Sequence, residues 1–271
     1  MSDLFYSIAL QFVLHQKGNN FMRDLKDTVA WITGAGTGIG EGAAIAMARE
    51  GAKVILTGRR LAPLEQVSKK IKDAAGFVEI AQGDAMDRSG MMVLAKDIQN
   101  RYGKLDLLFN NHGINITNRS WGGGNLEGWD EVIDVNVKGA YNCALAALEV
   151  MRPQREGTIL TTSSKAGVNY SPRAGVAYGA SKHAVMALNQ LMNIEEGNNG
   201  IRACVLCPGE VETPILDHRP IPVPQKERER LIQSEDMGEI VVFIMKLPAR
   251  VTLNEVIISP TYTRPLQPGE G

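Results

Sequence analysis

Two spacings of apolar residues alternate along this chain. Short, mostly apolar runs are separated by longer segments in which apolar residues recur every three or four positions. Runs of the first kind are typical of buried strands, and segments of the second kind are typical of amphipathic helices. Seven runs predict strands: TVAWIT, AKVILT, GFVEIA, KLDLLFN, GTILTTS, IRACVLC and NEVIIS.

The intervening segments predict helices that connect successive strands. Examples are GEGAAIAMARE, LAPLEQVSKKIKD and GMMVLAKDIQNRYG. Strands joined by helices form parallel sheets that are covered on both faces. The pattern therefore predicts an α/β, single-domain, doubly wound (Rossmann) fold with a seven-stranded parallel sheet flanked by helices on both faces. Ligands of such folds bind beyond the carboxyl ends of the strands, so those ends are the places to search for chemistry.

The length of the chain, 271 residues with 44% hydrophobic residues, is sufficient for one large core. The polar stretch MRDLKDT leads directly into the first predicted strand. We therefore predict an N-terminal extension at residues 1–21, a Rossmann domain at 22–260 and a C-terminal tail at 261–271.

Charge and hydropathy argue against two classes of partner. The formal net charge is -1, and lysines and arginines are interleaved with acidic residues, which disfavours a nucleic-acid partner. No apolar run approaches the roughly 20 residues that cross a bilayer. The early run LFYSIALQFVL lacks the cationic lead and cleavage site of a signal peptide. We expect a cytoplasmic protein with no membrane partner.

The three cysteines are too few for a disulfide framework. Cys204 and Cys207 have CxxC spacing, but they lie in a predicted strand whose residues i and i+3 face opposite sides of the sheet. No second cysteine or histidine pair follows. We expect core residues here, and no metal.

A glycine-rich turn follows the first predicted strand. The stretch TGAGTGIG fits the pattern GxxxGxG, with Gly34, Gly38 and Gly40, and does not fit GxGxxG. Glycines at a strand-to-helix turn let the backbone approach a pyrophosphate at the positive end of the helix. By itself the turn is equally compatible with a tight connection, but its position favours nucleotide binding.

Further motifs follow in order: NNHG, DVNVKG, TTSSKAG, YGASK and PGEVETP. As a set they resemble the short-chain dehydrogenase/reductase family, over about Asp24 to Ser259. Two departures stand out. His112 occupies a position where the family usually has a small residue, and the spacing between Ser164 and Tyr178 is one residue longer than usual.

The YGASK motif carries the candidate chemistry. Tyr178 and Lys182 are one helical turn apart, so their polar ends can converge. A general acid/base must move a proton on oxygen when a hydride moves on carbon, and a nearby cation is expected to lower the pKa of the phenol. The resemblance implies that Tyr178 is this acid/base and that Lys182 also binds the nicotinamide ribose. It further implies that Ser164, with Ser163 as a rival, binds the substrate oxygen and that Asn136 supports a proton relay.

The resemblance also implies a set of cofactor-binding positions. They are Gly34, Thr37, Gly38, Ile39, Gly40, Arg59, Arg60, Asp84, Ala85, Asn111, Gly113, Tyr178, Lys182, Pro208, Gly209, Val211 and Thr213. The position after the second strand, where NAD-selective chains place a carboxylate, is Gly58 here, and Arg59 and Arg60 follow it. A guanidinium there can hold a 2′-phosphate, so we expect NADP, with NAD as the alternative.

The substrate is expected to be a small or medium carbonyl compound or alcohol. Expected cavity walls are the loop with Trp121, the segment with Tyr170 and a proline-rich lid after Thr213. One alternative is a protein that senses NADP without turnover. Another is a 3-oxoacyl-type reductase, with a basic patch formed by Arg119, Arg219 and Lys226 for an acidic carrier.

Apolar residues surround more of two predicted helical segments than one sheet-facing stripe requires. These are GWDEVIDVNVKGAYNCALAALEVM and VAYGASKHAVMALNQLMNI. In the family the equivalent helices pair about a two-fold axis. We therefore expect a homodimer or homotetramer.

Overall fold

Seven parallel strands form one sheet in the computed structural model, which describes residues 22–121, 126–219 and 221–265. The strands are β1 (Val29–Thr33), β2 (Lys53–Thr57), β3 (Phe77–Ile80), β4 (Leu107–Asn110), β5 (Gly157–Thr162), β6 (Ile201–Pro208) and β7 (Glu255–Ile258). Their order across the sheet is β3-β2-β1-β4-β5-β6-β7. The predicted fold is confirmed. The predicted extension at residues 1–21 lies outside the described residues.

Eight α-helices connect or flank these strands within the described residues. They are α1 (Gly38–Arg49), α2 (Leu61–Asp73), α3 (Arg88–Tyr102), α4 (Leu126–Ile133), α5 (Ala140–Gln154), α6 (Val176–Glu196), α7 (Gln225–Arg228) and α8 (Ser234–Lys246). A π-helical segment, Asp134–Gly139, joins α4 to α5. This single wide turn contains Asn136 of the DVNVKG motif.

One strand starts later than the apolar run indicates. The run KLDLLFN begins at Lys104, whereas β4 begins at Leu107. The reason is Asp106, whose carboxylate accepts a hydrogen bond from the Val29 amide at 2.8 Å. The Asp106 amide also donates to the Val29 carbonyl at 3.0 Å, so a side-chain and a backbone bond share this position before regular pairing begins at Leu107.

Apolar residues of alternate strand positions form a core on each face of the sheet. Ile32 and Phe109 pack toward α1 and α8, while Trp31 and Leu108 pack toward α3 and α5. Cys204 and Cys207 belong to separate buried clusters, and both are free thiols, as expected for core residues on opposite faces.

The chain reverses its direction of travel across the sheet after β3. It first runs from β1 to β2 and β3 on one side, then crosses to β4 on the other side of β1. The connections that leave β1 and β4 therefore diverge and leave a crevice at the carboxyl ends. In the described part of the chain, no helix is both long and apolar enough to cross a membrane.

Candidate active site

A cavity of about 980 Å³ lies at the carboxyl ends of the strands. Most of the residues singled out in the sequence line it: Gly34, Thr37, Gly38, Ile39, Arg59, Arg60, Asp84, Ala85, Asn111, Gly113, Ser164, Tyr178, Lys182, Pro208, Gly209, Val211 and Thr213. Gly40 and Asn136 do not line it. The fold thus brings the glycine turn and the Tyr-Lys pair to one space.

The glycine turn needs its glycines for conformation and for space. Gly34 and Gly38 have φ angles of 59° and 58°, in the left-handed region that side chains disfavour. A Cβ at Gly34 would lie 2.8 Å from the His112 Cα, and one at Gly40 would lie 2.3 Å from the Gly34 carbonyl oxygen. The first two glycines set the turn at the cavity wall, and Gly40 packs behind them.

Two arginines lie at the end of the cavity next to β2. Arg59 and Arg60 are exposed and line the cavity, and the backbone oxygen of Arg59 accepts a hydrogen bond from Gln82 at 2.8 Å. Asp84 accepts from the Met86 amide at 3.0 Å, which fixes its carboxylate within its own turn. This end of the cavity is therefore cationic where β2 ends.

Tyr178 and Lys182 lie on the first turns of α6 at the opposite end of the cavity. The Nζ of Lys182 lies 5.4 Å from the centroid of the Tyr178 ring and donates to the Thr162 carbonyl oxygen at 2.7 Å. Burial lowers the pKa of Lys182 to about 8. The ammonium is thus held in place between β5 and α6.

The geometry distinguishes the two rival serines. The hydroxyl of Ser163 is buried and donates to the Lys182 carbonyl oxygen at 2.9 Å, so it ties β5 to α6. Ser164 is half-buried and begins the 3₁₀ turn Lys165–Gly167, where its oxygen accepts from the Ala166 amide at 3.1 Å. A hydrogen bond with Ser164 acts on the pKa of Tyr178, so these two hydroxyls lie together.

The expected effect of Lys182 on the phenol does not match the structure. Burial raises the pKa of Tyr178 above its ordinary value, against smaller lowering effects from the hydrogen bond with Ser164 and from the charges of Arg219 and Arg119. The reason is position. Lys182 donates to the Thr162 carbonyl, and partial burial of the phenol outweighs the effects that lower its pKa.

Asn136 does not line the cavity itself, but it hydrogen-bonds Ile114, which does. Its amide oxygen accepts from the Ile114 amide at 2.8 Å, and its Nδ2 donates to the Ile114 carbonyl and to the Ser181 hydroxyl, both at 3.0 Å. It therefore joins the loop after β4 to α6. The wide π-helical turn presents this amide to both elements.

The unusual His112 is a half-buried part of the same wall. Its Nδ1 lies 2.7 Å from the Thr33 hydroxyl, and its Nε2 is buried with no hydrogen-bond partner among the described residues. A Cβ added at Gly139 would lie 2.8 Å from that Nε2, so the ring fills the space beside the π-helical segment. Burial lowers the pKa of His112 to about 4. The ring is neutral near neutral pH.

The loops over the cavity differ in part from expectation. Pro214, Ile215 and Leu216 of the 3₁₀ segment Pro214–His218 line the cavity, whereas no residue of α7 does, and the lid stays a prediction. Tyr170 lines the cavity and stacks on His183, with ring centroids 5.6 Å apart. Trp121 does not line this cavity. Trp121 lines a separate, smaller pocket of about 270 Å³ with Leu126 and Trp129 of α4, although Ile114 and Ile116 of the same loop line the main cavity as predicted.

Three charged residues that line the cavity were not identified from the sequence. Arg173, Glu210 and Arg264 were not candidates, and Arg264 fell in the predicted tail although it is buried. The sequence signals at these positions were weak. Arg173 lies in the triplet SPR, Glu210 lies in PGE and Arg264 is an isolated arginine. Arg119 and Arg219 also line the cavity and do not form the surface patch suggested for a carrier protein.

Comparisons with known proteins agree with this geometry. Residues 28–221 match the short chain dehydrogenase family. An uncharacterized oxidoreductase of Listeria innocua serovar 6a is 33% identical over 248 residues, which cover 88% of this chain and 98% of that protein. A metagenomic short-chain oxidoreductase in complex with NADP is 26% identical, with a TM-score of 0.76, over 89% of this chain and 100% of that one.

A second solved structure is similar over the same extent. It is an alcohol dehydrogenase from the archaeon Thermococcus sibiricus complexed with 5-hydroxy-NADP, 28% identical, with a TM-score of 0.78, over 89% of this chain and 100% of that one. Together with the cavity that joins a glycine turn to a Tyr-Lys pair, these matches identify the chain as a member of the short-chain dehydrogenase/reductase family and an oxidoreductase of that type.

Proposed function

We propose that this protein is an NADP-dependent oxidoreductase that interconverts a carbonyl group and an alcohol on a small or medium organic substrate. One observation carries the proposal. Ser164, Tyr178 and Lys182 line the same cavity as the glycine turn at Gly34 and Gly38. A nucleotide-sensing protein would need the turn but would have no use for a half-buried phenol and a buried ammonium in the same cavity.

The residues present fit a dinucleotide. The positive φ angles at Gly34 and Gly38 let the backbone pass a ligand closely at the start of α1, where helix amides favour phosphates. NADP is preferred to NAD because Arg59 and Arg60 follow Gly58 where a carboxylate would select NAD. When bound, the nicotinamide supplies or accepts the hydride.

The protein's own residues handle the proton and the orientation. Tyr178 gives its phenolic proton to the substrate oxygen during carbonyl reduction and takes it back during alcohol oxidation. Ser164 holds the same oxygen by a hydrogen bond. Lys182, anchored on the Thr162 carbonyl, contributes positive charge beside the Tyr178 ring and hydrogen-bonds the cofactor ribose.

Asn136 is a positioning residue in this proposal. Its bonds to Ile114 and Ser181 hold the loop after β4 against α6, which carries the acid/base. Loss of the amide would let the two walls move apart, and small displacements of reacting groups are costly in rate.

The protein is also proposed to form a homodimer or homotetramer. Leu191 and Ile194 on α6 are 53% and 73% exposed, and Tyr141 on α5 is also exposed. Large apolar side chains that share an outer helical surface favour a subunit contact.

The test is a panel of carbonyl compounds and alcohols followed by nicotinamide absorbance with both cofactors. At least one compound should be turned over, with higher kcat/KM for NADPH than for NADH. Tyr178→Phe should lose at least about a hundredfold in kcat while still binding cofactor, because general acid/base catalysis contributes about that much or more. Tyr102→Phe, at the end of α3 and outside the cavity lining, is the matched control. Comparable activity in Tyr178→Phe and the unmodified protein would contradict the assignment.

A further inference from the structure

A C-terminal strap, residues 259–265, forms one wall of the cavity. It follows β7 directly and contains neither helix nor strand. Most of it lines the cavity, namely Ser259, Pro260, Tyr262, Thr263 and Arg264. The sequence assigned part of this segment to a tail beyond the domain. In the folded chain its side chains belong to the site, so the position of the strap affects the shape of the cavity.

The two ends of the strap are attached to neighbouring walls of the cavity. Just before the strap, the Ile258 carbonyl accepts a hydrogen bond from the Gly209 amide at 2.7 Å. At its far end, the Pro265 carbonyl accepts from the Arg173 guanidinium at 3.0 Å. Arg173 belongs to the segment that leads into α6, the helix of Tyr178. The strap therefore runs between the end of β6 and the segment that leads to Tyr178.

Tyr262 lies between these two attachments, and Arg230 covers its ring. The guanidinium carbon of Arg230 lies 3.6 Å from the centroid of the ring, which is a stacking contact. Four further cation–aromatic pairs of the structure, such as Arg101 over Tyr102, lie 5.1 to 5.9 Å apart. A guanidinium this close to an aromatic face is packed against the ring and is also attracted by it. The middle of the strap is therefore held by a side chain that lies outside the cavity lining.

The backbone around Arg230 is fixed, so its side chain starts from a defined position. Arg230 follows α7, and its amide donates to the Glu227 carbonyl at 3.0 Å. The next residue, Leu231, is buried in a small apolar cluster with Leu216 and Val223. Leu216 also lines the cavity. Arg230 thus connects the strap to a segment that is itself packed beside the cavity.

The contact between Arg230 and Tyr262 lies at the rim of the cavity, since Arg230 is exposed and Tyr262 is half-buried. The charges that act on the pKa of Tyr178 are those of Arg219 and Arg119, so Arg230 is expected to affect binding and not proton transfer. A wall that is already ordered spares a ligand the free energy of ordering it. Loss of the contact should therefore weaken the binding of any compound that packs against the strap.

We propose that Arg230 is a positioning residue of the substrate site, which acts through Tyr262 by holding the strap as a preformed wall for the carbonyl compound or alcohol. The inference rests on the proposed function, because it assigns a residue to the same reaction. Without the guanidinium the middle of the strap is free to move. The KM of the organic substrate then rises, while kcat and the affinity for NADP, proposed to bind near Gly34 and Gly38, change little.

Steady-state kinetics with NADPH and three ketones, cyclohexanone, acetophenone and 2-acetylnaphthalene, test the role of Arg230. In Arg230→Gln, KM for the ketones that the unmodified protein reduces should rise about fivefold, the effect expected for loss of one cation–aromatic contact. The kcat and the Kd of NADP should stay within about twofold. Arg101→Gln, which removes the cation from the Tyr102 ring outside the cavity lining, is the matched control and should keep all three constants. Unchanged KM in Arg230→Gln overturns the inference.

Variants of Tyr262 test whether Arg230 acts through this ring. Tyr262→Phe keeps the aromatic face and should keep the KM of the unmodified protein, whereas Tyr262→Leu should raise KM at least as much as Arg230→Gln does. In the Tyr262→Leu background, Arg230→Gln should cause no further rise, because the contact is already lost. An equal rise of KM in both backgrounds, or a loss in Tyr262→Phe as large as that in Tyr262→Leu, overturns the inference.

Limited digestion with chymotrypsin, which cleaves after aromatic residues, measures the strap without any substrate. Cleavage after Tyr262, followed as the loss of residues 263–271 from the intact mass, should be about fivefold faster or more in Arg230→Gln and unchanged in Arg101→Gln. Unchanged cleavage in Arg230→Gln overturns the inference and leaves the proposed function standing. A joint fall of melting temperature, kcat and NADP affinity would mean that Arg230 is only structural and would also overturn it. If the unmodified protein reduces none of the three ketones, KM is compared for a compound of the wider panel, and no turnover in that panel counts against both.

Discussion

Acidification from pH 6.5 to pH 4 is expected to destabilise this protein through His112. Burial lowers the pKa of this imidazole from 6.5 to about 4 in the folded state, with Lys182 and Arg59 adding to the effect and Asp84 opposing it. Between these two values the unfolded chain binds more protons at His112 than the folded chain does. The free energy of unfolding therefore falls as the pH falls through this window and is unaffected by His112 above it.

The expected magnitude follows from the difference between the two pKa values. Each unit corresponds to about 1.4 kcal/mol, so the full window corresponds to about 3 kcal/mol. That is a large part of the roughly 5 to 15 kcal/mol that stabilises a typical protein. Paired carboxylates such as Glu79 and Glu196, whose pKa values are lowered, add a further loss as the pH falls through their range. The contribution of His112 must therefore be measured by comparing the unmodified protein with a variant that lacks this histidine.

Urea denaturation at intervals from pH 4 to pH 7 measures the effect. His112→Asn keeps a polar group near Thr33 but cannot be protonated, so its free energy of unfolding should fall less steeply with acid than that of the unmodified protein. His183→Asn, a histidine stacked on Tyr170, is the control and should keep the steep profile. Parallel profiles for the unmodified protein and His112→Asn would refute the reasoning.

The other predictions concern the cofactor and assembly. Gly58→Asp should invert the preference for NADPH over NADH, since a carboxylate opposes a 2′-phosphate, and there is room because a Cβ at Gly58 would lie 3.5 Å from Leu64. Equal kcat/KM for both cofactors in the unmodified protein would count against the role of Arg59. NADP affinity of the free protein, measured by titration calorimetry, should weaken as the pH rises through about 8, where Lys182 loses its charge, and Lys182→Met should lack this inflection. Light scattering at micromolar concentration should report a dimer or tetramer, and a monomer would contradict the contact at Leu191.

The fold could be predicted because each strand is an apolar run bounded by turn residues and each connection has helical spacing. The limits of the elements were less certain where a side chain replaces a backbone partner, as Asp106 does at the start of β4. The glycine-turn end of the cavity could be predicted from local sequence, because Gly34, Gly38 and Gly58 lie just after the ends of β1 and β2. Those signals are short in sequence and do not depend on distant residues.

The part of the cavity that contains Tyr178 could be predicted less well, because it is assembled from distant segments. Arg119, Arg173, Arg219 and Arg264 are far apart in sequence, and each is unremarkable in its own stretch. The pKa of Tyr178 was misjudged for a related reason. Spacing on a helix reveals a neighbouring cation, but it does not reveal how far the rest of the chain excludes water from the phenol.

Enclosure of the Tyr178 phenol has a consequence for the direction of the reaction. Since burial raises its pKa, the resting protein keeps the phenolic proton at neutral pH. Carbonyl reduction consumes a proton, and the Tyr178 phenol already carries the proton that it donates. Alcohol oxidation must first release that proton to solvent, so its rate should rise with pH over a range in which the rate of reduction stays level and then falls.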